Sequence, residues 1–138
     1  MYQTLTKIFN QMDDKPFKDI FEIYRQCHWG EDDVIIRKAI IGSFATIVAY
    51  RSNKPVGLAR VISDGVAYAL LVDTMVVPEL KRSGIGTLLV RDLINYCKNK
   101  NIFMLKLISS NEGKLFYEKL GFKQCSNEEP GMVLYLQN

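Results

Sequence analysis

Val76-Val77-Pro78-Glu79-Leu80-Lys81-Arg82-Ser83-Gly84-Ile85-Gly86-Thr87-Leu88-Leu89 is the stretch whose reading decides the fold. An apolar strand stops at a proline. A short basic turn with two glycines follows, and then an amphipathic helix begins. Such a turn directs backbone N–H groups outward at the positive end of a helix dipole, which makes an anion site suited to phosphate. Glycine removes the Cβ that would keep a ligand away from the backbone. Lys81 and Arg82 add positive charge at the same place. A phosphate-bearing ligand between Lys81 and Thr87 is the expectation.

Working outward, strand and helix patterns alternate, which predicts an α/β or α+β layer fold in a single domain spanning residues 1–138. Tyr2 to Phe9 reads as a first strand. Asp14-Lys15-Pro16 starts a helix with a capping carboxylate and an early proline. Phe17, Ile20, Phe21, Tyr24 and Cys27 recur at helical spacing, and Trp29-Gly30 breaks the run. A second short helix is predicted from about Glu31 to Ile41, ending at Gly42. Phe44 to Arg51, Val56 to Ser63 and Val66 to Val77 form a predicted antiparallel meander. Asp64-Gly65 is its second turn, a two-residue hairpin signal. Ile85, Leu88, Leu89, Leu93, Tyr96 and Cys97 give the following helix its apolar face. Phe103 to Ile108 is a short buried strand. Ser109-x-x-Glu112 fits a capping box, and Gly121 follows the next helix at the C′ position, with Phe122 packing back. Lys123 to Cys125 and Met132 to Leu136 are predicted to close the fold as a strand pair.

Composition narrows the classes. The 138 residues are 48% hydrophobic, enough for a core and too much for a disordered chain. The longest apolar runs, such as Val66 to Val72, fall far short of the ~20 residues of a membrane helix. The N-terminal residues show no secretory pattern. Cys27, Cys97 and Cys125 are widely spaced without a C-x-x-C, so neither a disulfide framework nor a metal site is expected. A reduced cytoplasmic protein is the simplest expectation. The net charge of +3 is too small to argue for nucleic acid, and the basic residues alternate with acidic ones.

Two phosphate motifs are absent. The triphosphate loop needs G-x-x-x-x-G-K-[ST], and the dinucleotide fingerprint needs a third glycine where Thr87-Leu88-Leu89 stand. Lys81-Arg82-Ser83-Gly84-Ile85-Gly86 instead resembles the [R/Q]-x-x-G-x-[G/A] signature of the GNAT N-acetyltransferase superfamily, with Lys81 where Arg or Gln is usual. Lysine keeps the charge and loses the planar fork. Leu115-Phe116-Tyr117-Glu118-Lys119-Leu120-Gly121-Phe122 resembles that family's FYEKLGF segment. The element order also agrees, so the resemblance covers nearly the whole chain. It implies a mixed, mostly antiparallel sheet of six to seven strands with splayed central strands and about four flanking helices.

The resemblance also implies a chemistry. Acetyl-CoA would be bound through its pyrophosphate by Lys81, Arg82, Ser83, Gly84, Ile85, Gly86 and Thr87. An amine would attack the thioester carbon directly, in a ternary complex. A backbone N–H among Met75, Val76 and Val77 would meet the developing oxyanion. Tyr117 matches the family's general acid for the leaving thiolate. Ser110 or Asn111 stands where the family often places an Asn that contacts the cofactor. Asp73 is the first choice for a base, ahead of His28 and Glu79. Pro130-Gly131-Met132 would help to wall the acceptor pocket. With Tyr24, Trp29, Arg60, Tyr68 and Met132 as that wall, the acceptor is a small amine with an apolar or acidic part. Many relatives of this type are dimers, which implies a homodimer; neither nucleic acid nor a membrane is an implied partner.

Other readings stay open at this level. Lys81 to Thr87 alone could be a tight turn, Tyr117 a core aromatic, and Asp73 a structural carboxylate. A non-catalytic acetyl-CoA-binding module of the same fold is the functional alternative. Counting from a two-residue Asp64-Gly65 turn places Arg60 opposite Ala69, about 13 Å from Asp73 at 3.4 Å per residue. Arg60 then needs some other acidic partner.

Overall fold

The computed structural model describes residues 3–30 and 32–137. The chain parts into two compact units, Met1–Leu107 and Ile108–Asn138.

In the first unit the elements run β1 (Thr4–Asn10), α1 (Phe17–Gln26), α2 (Asp33–Ile41), β2 (Ala45–Arg51), β3 (Lys54–Ser63), β4 (Tyr68–Val76), a 3-10 turn (Pro78–Leu80), α3 (Ile85–Asn99) and β5 (Met104–Leu107). The sheet order is β1-β2-β3-β4-β5. The first three pairings are antiparallel and the β4–β5 pairing is parallel. The mixed, mostly antiparallel sheet is the one expected. Tyr2 and Glu31, proposed as the starts of the first strand and second helix, lie outside the described residues.

Local chemistry explains the boundaries. The Asp32 side chain accepts from the Ile35 N–H at 2.9 Å and starts α2. No carboxylate caps α1, where Pro16 takes the N-cap position and Asp14 is not engaged. Ser52 and Asn53 both have positive φ, 52° and 63°, and turn β2 into β3 as a two-residue hairpin.

Each face of the sheet is covered. Ile20, Ile23 and Tyr24 of α1 and Ile36 and Ile40 of α2 bury against Val48, Leu58 and Met75 on one face. On the other face α3 presents Ile85, Leu89, Val90 and Leu93, all buried. It comes so close at Gly57 that a Cβ there would lie 3.0 Å from Leu89 Cδ1 and 3.2 Å from Ile85 Cγ2. Gly57 thus sets how closely the start of α3 lies on the sheet.

One register differs from expectation. Asp64 does not make a two-residue turn. Its carboxylate accepts the N–H groups of Val66, Ala67 and Tyr68, so the connection is longer and Ser63 pairs with Ala69. A bulge then adds one residue, Val72, to β4, and Arg60 pairs directly with Asp73. The expected 13 Å separation is wrong, because both shifts bring Asp73 back along the strand.

The second unit holds α4 (Lys114–Lys119). The Ser109–Glu112 capping box does not form. The Ser110 hydroxyl accepts the Gly113 N–H at 3.1 Å instead, and the helix begins only at Lys114, with Gly113 at the N-cap. Its end is as expected: Gly121 has φ 100° and the Phe122 N–H reaches back to the Tyr117 carbonyl at 3.1 Å. The anticipated strands Lys123–Cys125 and Met132–Leu136 are absent, so the described residues hold five strands, not six or seven. Met132 to Leu136 are exposed side by side. Two short apolar runs do not sustain a hairpin without further strands or a helix to cover it.

Candidate active site

Strand β4 changes character along its length. Tyr68 to Leu71 pair with β3 on one side and with Met104 to Leu107 of β5 on the other. Beyond the Val72 bulge, Asp73 to Val76 pair only with β3. This is the splay of the central strands. The Val77 N–H donates to the Val56 carbonyl at 2.9 Å, so alternate residues turn toward β3 from there back. Val77 and Met75 therefore spend their amides on the ladder. Thr74 and Val76 turn theirs to the side that β5 has vacated. Of the three candidates for an oxyanion donor, only Val76 has a free N–H. Thr74 was not anticipated; counting alternate residues back from the proline would have found it. Its hydroxyl is buried without a hydrogen-bond partner.

The open edge leads into the glycine turn. Arg82 (φ 64°) and Gly84 (φ 87°) are left-handed, and Gly84 is the N-cap of α3 without any side-chain cap. A Cβ at Gly84 would meet nothing within 4 Å, so the space above it is free. Leu88 N–H is the first to find a helical acceptor, the Gly84 carbonyl at 3.1 Å, which leaves the amides of Ile85, Gly86 and Thr87 at the helix end without one. Lys81, Arg82 and Ser83 are exposed around them, and the Ser83 hydroxyl donates to the Leu80 carbonyl.

Asp73 sits in a partly buried network. The Tyr24 hydroxyl donates to its Oδ2 at 2.8 Å and Arg60 Nε donates to the same oxygen at 2.5 Å. Arg60 Nη1 donates to the Ser43 hydroxyl at 3.2 Å. Three elements, α1, β3 and β4, meet at one carboxylate, and Arg60 finds its acidic partner inside the protein and extends the network to Ser43 between α2 and β2. Burial and the Asp73 charge push the Tyr24 phenol well above its usual range, so it serves as a donor.

The proposed acceptor residues divide. Tyr24 and Trp29 pack edge to face with centroids 6.3 Å apart. Tyr68 lies on the β5-paired half of β4, with the Lys106 ammonium 5.8 Å above its ring. Met132 belongs to the second unit and is exposed. Cys27, not singled out for the site, places its Sγ 3.5 Å from the Val76 carbonyl, so the end of α1 abuts the open edge. Burial pushes that thiol up, and the charge of Lys81 partly offsets it. His28 ends α1 with φ 57°, and Glu79 lies in the 3-10 turn.

In the second unit Tyr117 is half-buried between Phe116 and Phe122, with ring centroids at 4.9 and 5.7 Å. Asn111 is exposed, and the Ser110 hydroxyl is engaged in the turn before α4. Among the described residues no group of three or more His, Cys, Asp or Glu could hold a metal. No helix there is long and apolar enough to cross a membrane.

Solved structures share this fold. A GNAT-family acetyltransferase from Streptococcus pneumoniae TIGR4 superposes with a TM-score of 0.79 at 20% identity, over 99% of this chain and 98% of that one. An aminoglycoside N-acetyltransferase solved with CoA superposes at 0.72 and 16% identity, over 100% and 96% of the two chains. In sequence, the chain is 31% identical over 85 residues to GCN5-related N-acetyltransferase 2 of Arabidopsis thaliana, a chloroplastic protein. That match covers 62% of this chain and 33% of the relative. The chain spans 33%, 48% and 58% of the length of three curated relatives it matches. Residues 32–131 match the acetyltransferase (GNAT) domain family. That span takes in the splayed strand, the glycine turn and the Tyr117 helix together, and it makes the chain a member of the GNAT acetyltransferase family.

Proposed function

We propose that the chain transfers the acetyl group of acetyl-CoA to the amino group of a small acceptor. The observation that carries this reading is the set of unspent amides on one stretch of chain, Thr74 and Val76 on the edge that β5 leaves unpaired and Ile85, Gly86 and Thr87 at the uncapped start of α3. The residues present fit coenzyme A. Free N–H groups and open space at Gly84 suit a pyrophosphate, and the vacated edge of β4 suits an amide-bearing arm. The orphaned Thr74 hydroxyl lies in the same half-strand.

Acetyl-CoA, when bound, supplies a thioester carbon open to attack. In this reading Ile85, Gly86 and Thr87 hold the pyrophosphate through backbone N–H groups, and Lys81, Arg82 and Ser83 surround it. Lys81 acts as a point charge, without the two-pronged grip of arginine. The Val76 N–H donates to the acyl oxygen as negative charge gathers there, while Met75 and Val77 keep the strand in place. The acceptor nitrogen forms its bond to the acyl carbon, and the carbon–sulfur bond breaks. Tyr117 gives its phenolic proton to the departing sulfur. Before attack the acceptor ammonium gives one proton, directly or through water, to Asp73, whose Oδ1 is not the oxygen that Arg60 and Tyr24 hold, and the proton that the nitrogen sheds after bond formation returns to the Tyr117 phenolate. Ser110 and Asn111 contribute cofactor contacts, and Tyr24, Trp29, Arg60, Tyr68 and Met132 belong to the acceptor side. With three free cysteines, the protein suits a reducing cytoplasm.

The test is thiol release from acetyl-CoA across a panel of primary amines, paired with calorimetry of cofactor binding. Turnover with at least one amine is expected, and Tyr117→Phe should lower it about 100-fold at unchanged cofactor affinity. Tight cofactor binding without turnover on any amine would favour a non-catalytic acetyl-CoA sensor.

A further inference from the structure

A groove of about 760 Å³ runs between α1 and α2. Phe17, Phe21, Tyr24 and Trp29 are its aromatic lining, and of its basic chains, Lys18, Arg25 and Arg37, only Arg37 lies over an aromatic ring. Its charges are not equivalent. Arg25 is already paired with Glu22 on its own helix. Arg37 comes from α2 and lies over the aromatic wall, with its guanidinium carbon 4.1 Å from the Phe17 centroid and 5.6 Å from that of Phe21. Among the described residues no carboxylate lies within 4.0 Å of it. Asp33, one turn earlier on the same helix, lines the groove without pairing with it.

A guanidinium held over aromatic faces is restrained and keeps its N–H groups for a further partner. A fork oriented in advance binds a carboxylate through two parallel hydrogen bonds and loses little side-chain freedom in doing so. The site for the reacting amine is at the other end of α1, where Cys27 touches Val76. From Phe21 or Phe17 to Cys27 is six or ten helical residues, roughly 9 to 15 Å at 1.5 Å per residue.

We propose that Arg37 is an anion anchor for the acceptor, which is therefore an extended molecule with a primary amine at one end and a carboxylate at the other. The apolar middle lies along Phe21 and Tyr24, and the amine emerges at Trp29. This rests on the acetyl-transfer reading and goes further by naming the acceptor's second functional group and its distance from the amine. An α-amino acid is too short to satisfy both ends.

Trp29 is the sole tryptophan of the chain and lines the groove, so its fluorescence reports binding without turnover. The probes are 8-aminooctanoate, octylamine and 4-aminobutanoate. At least tenfold tighter binding of 8-aminooctanoate than of either other probe is expected. Arg37→Gln should remove that preference and leave octylamine unchanged, and Arg37→Lys should restore part of it. Equal affinity of the wild-type protein for 8-aminooctanoate and octylamine would overturn the anchor, and needs no variant to fold. Thiol release at equal rates from both would overturn it too, while leaving acetyl transfer intact. Selective binding without thiol release would keep the anchor and refute the transfer.

Discussion

The two halves of β4 share one strand and differ in what holds them. Tyr68 to Leu71 are paired on both sides, and Ala69 and Leu71 are buried beneath α3. Asp73 to Val76 are paired on one side only. The Val72 bulge separates them, and the Arg60–Asp73–Tyr24 network clamps the second half just past it. A strand edge left unpaired is ordinarily a liability. Here it runs into a helix start whose amides are also unspent, so two sets of free donors are aligned along one path. The upstream half keeps the fold; the downstream half is kept open by the fold.

The largest effect should come from proline at the open edge. Val76→Pro removes an N–H that no ladder bond uses, so the protein should fold while turnover drops about 100- to 1000-fold. Proline in the doubly paired half, as Leu70→Pro, should instead unfold the sheet. Near-normal turnover in Val76→Pro would erase the distinction between the halves. Next, Gly84→Glu places a negative charge and a strained backbone where an anion should sit. Acetyl-CoA affinity should fall on the order of 100-fold with the fold retained; unchanged affinity by calorimetry would remove the pyrophosphate from that turn. The smallest effect concerns the clamp. Asp73→Asn should cost about 2 kcal/mol in denaturant unfolding, the worth of a charged hydrogen bond at a nearly buried site. If stability is unchanged, the network does not hold the bulge.

Much of this layout was legible in the residues. Proline, glycine and apolar periodicity located the strand, the turn and α3 to within a residue or two, because each is a local signal. The two blocks around Gly84 and Tyr117 identified the family. What failed was register. Asp64-Gly65 resembles a two-residue turn, but the Asp64 carboxylate gathers three successive amides, and the bulge at Val72 has no mark of its own among apolar neighbours. Those few residues turned a direct Arg60–Asp73 ion pair into an expected gap of about 13 Å. The final strand pair was over-read, since apolar runs such as Met132 to Leu136 indicate a strand only where a partner exists. Arg37 was missed because its meaning lies in Phe17 and Phe21, on another helix. Thr74 was missed because the direction of an amide depends on ladder parity, which one hydrogen bond at Val77 settles.

In the proposed reading the downstream edge of β4 stays open until acetyl-CoA covers it. Residue-resolved amide hydrogen exchange with and without acetyl-CoA tests this most directly. The Thr74 and Val76 amides should exchange quickly in the free protein and become strongly protected on binding, while Met75 and Val77 stay protected throughout. Equal protection at Thr74 and Val76 in both states would contradict the account.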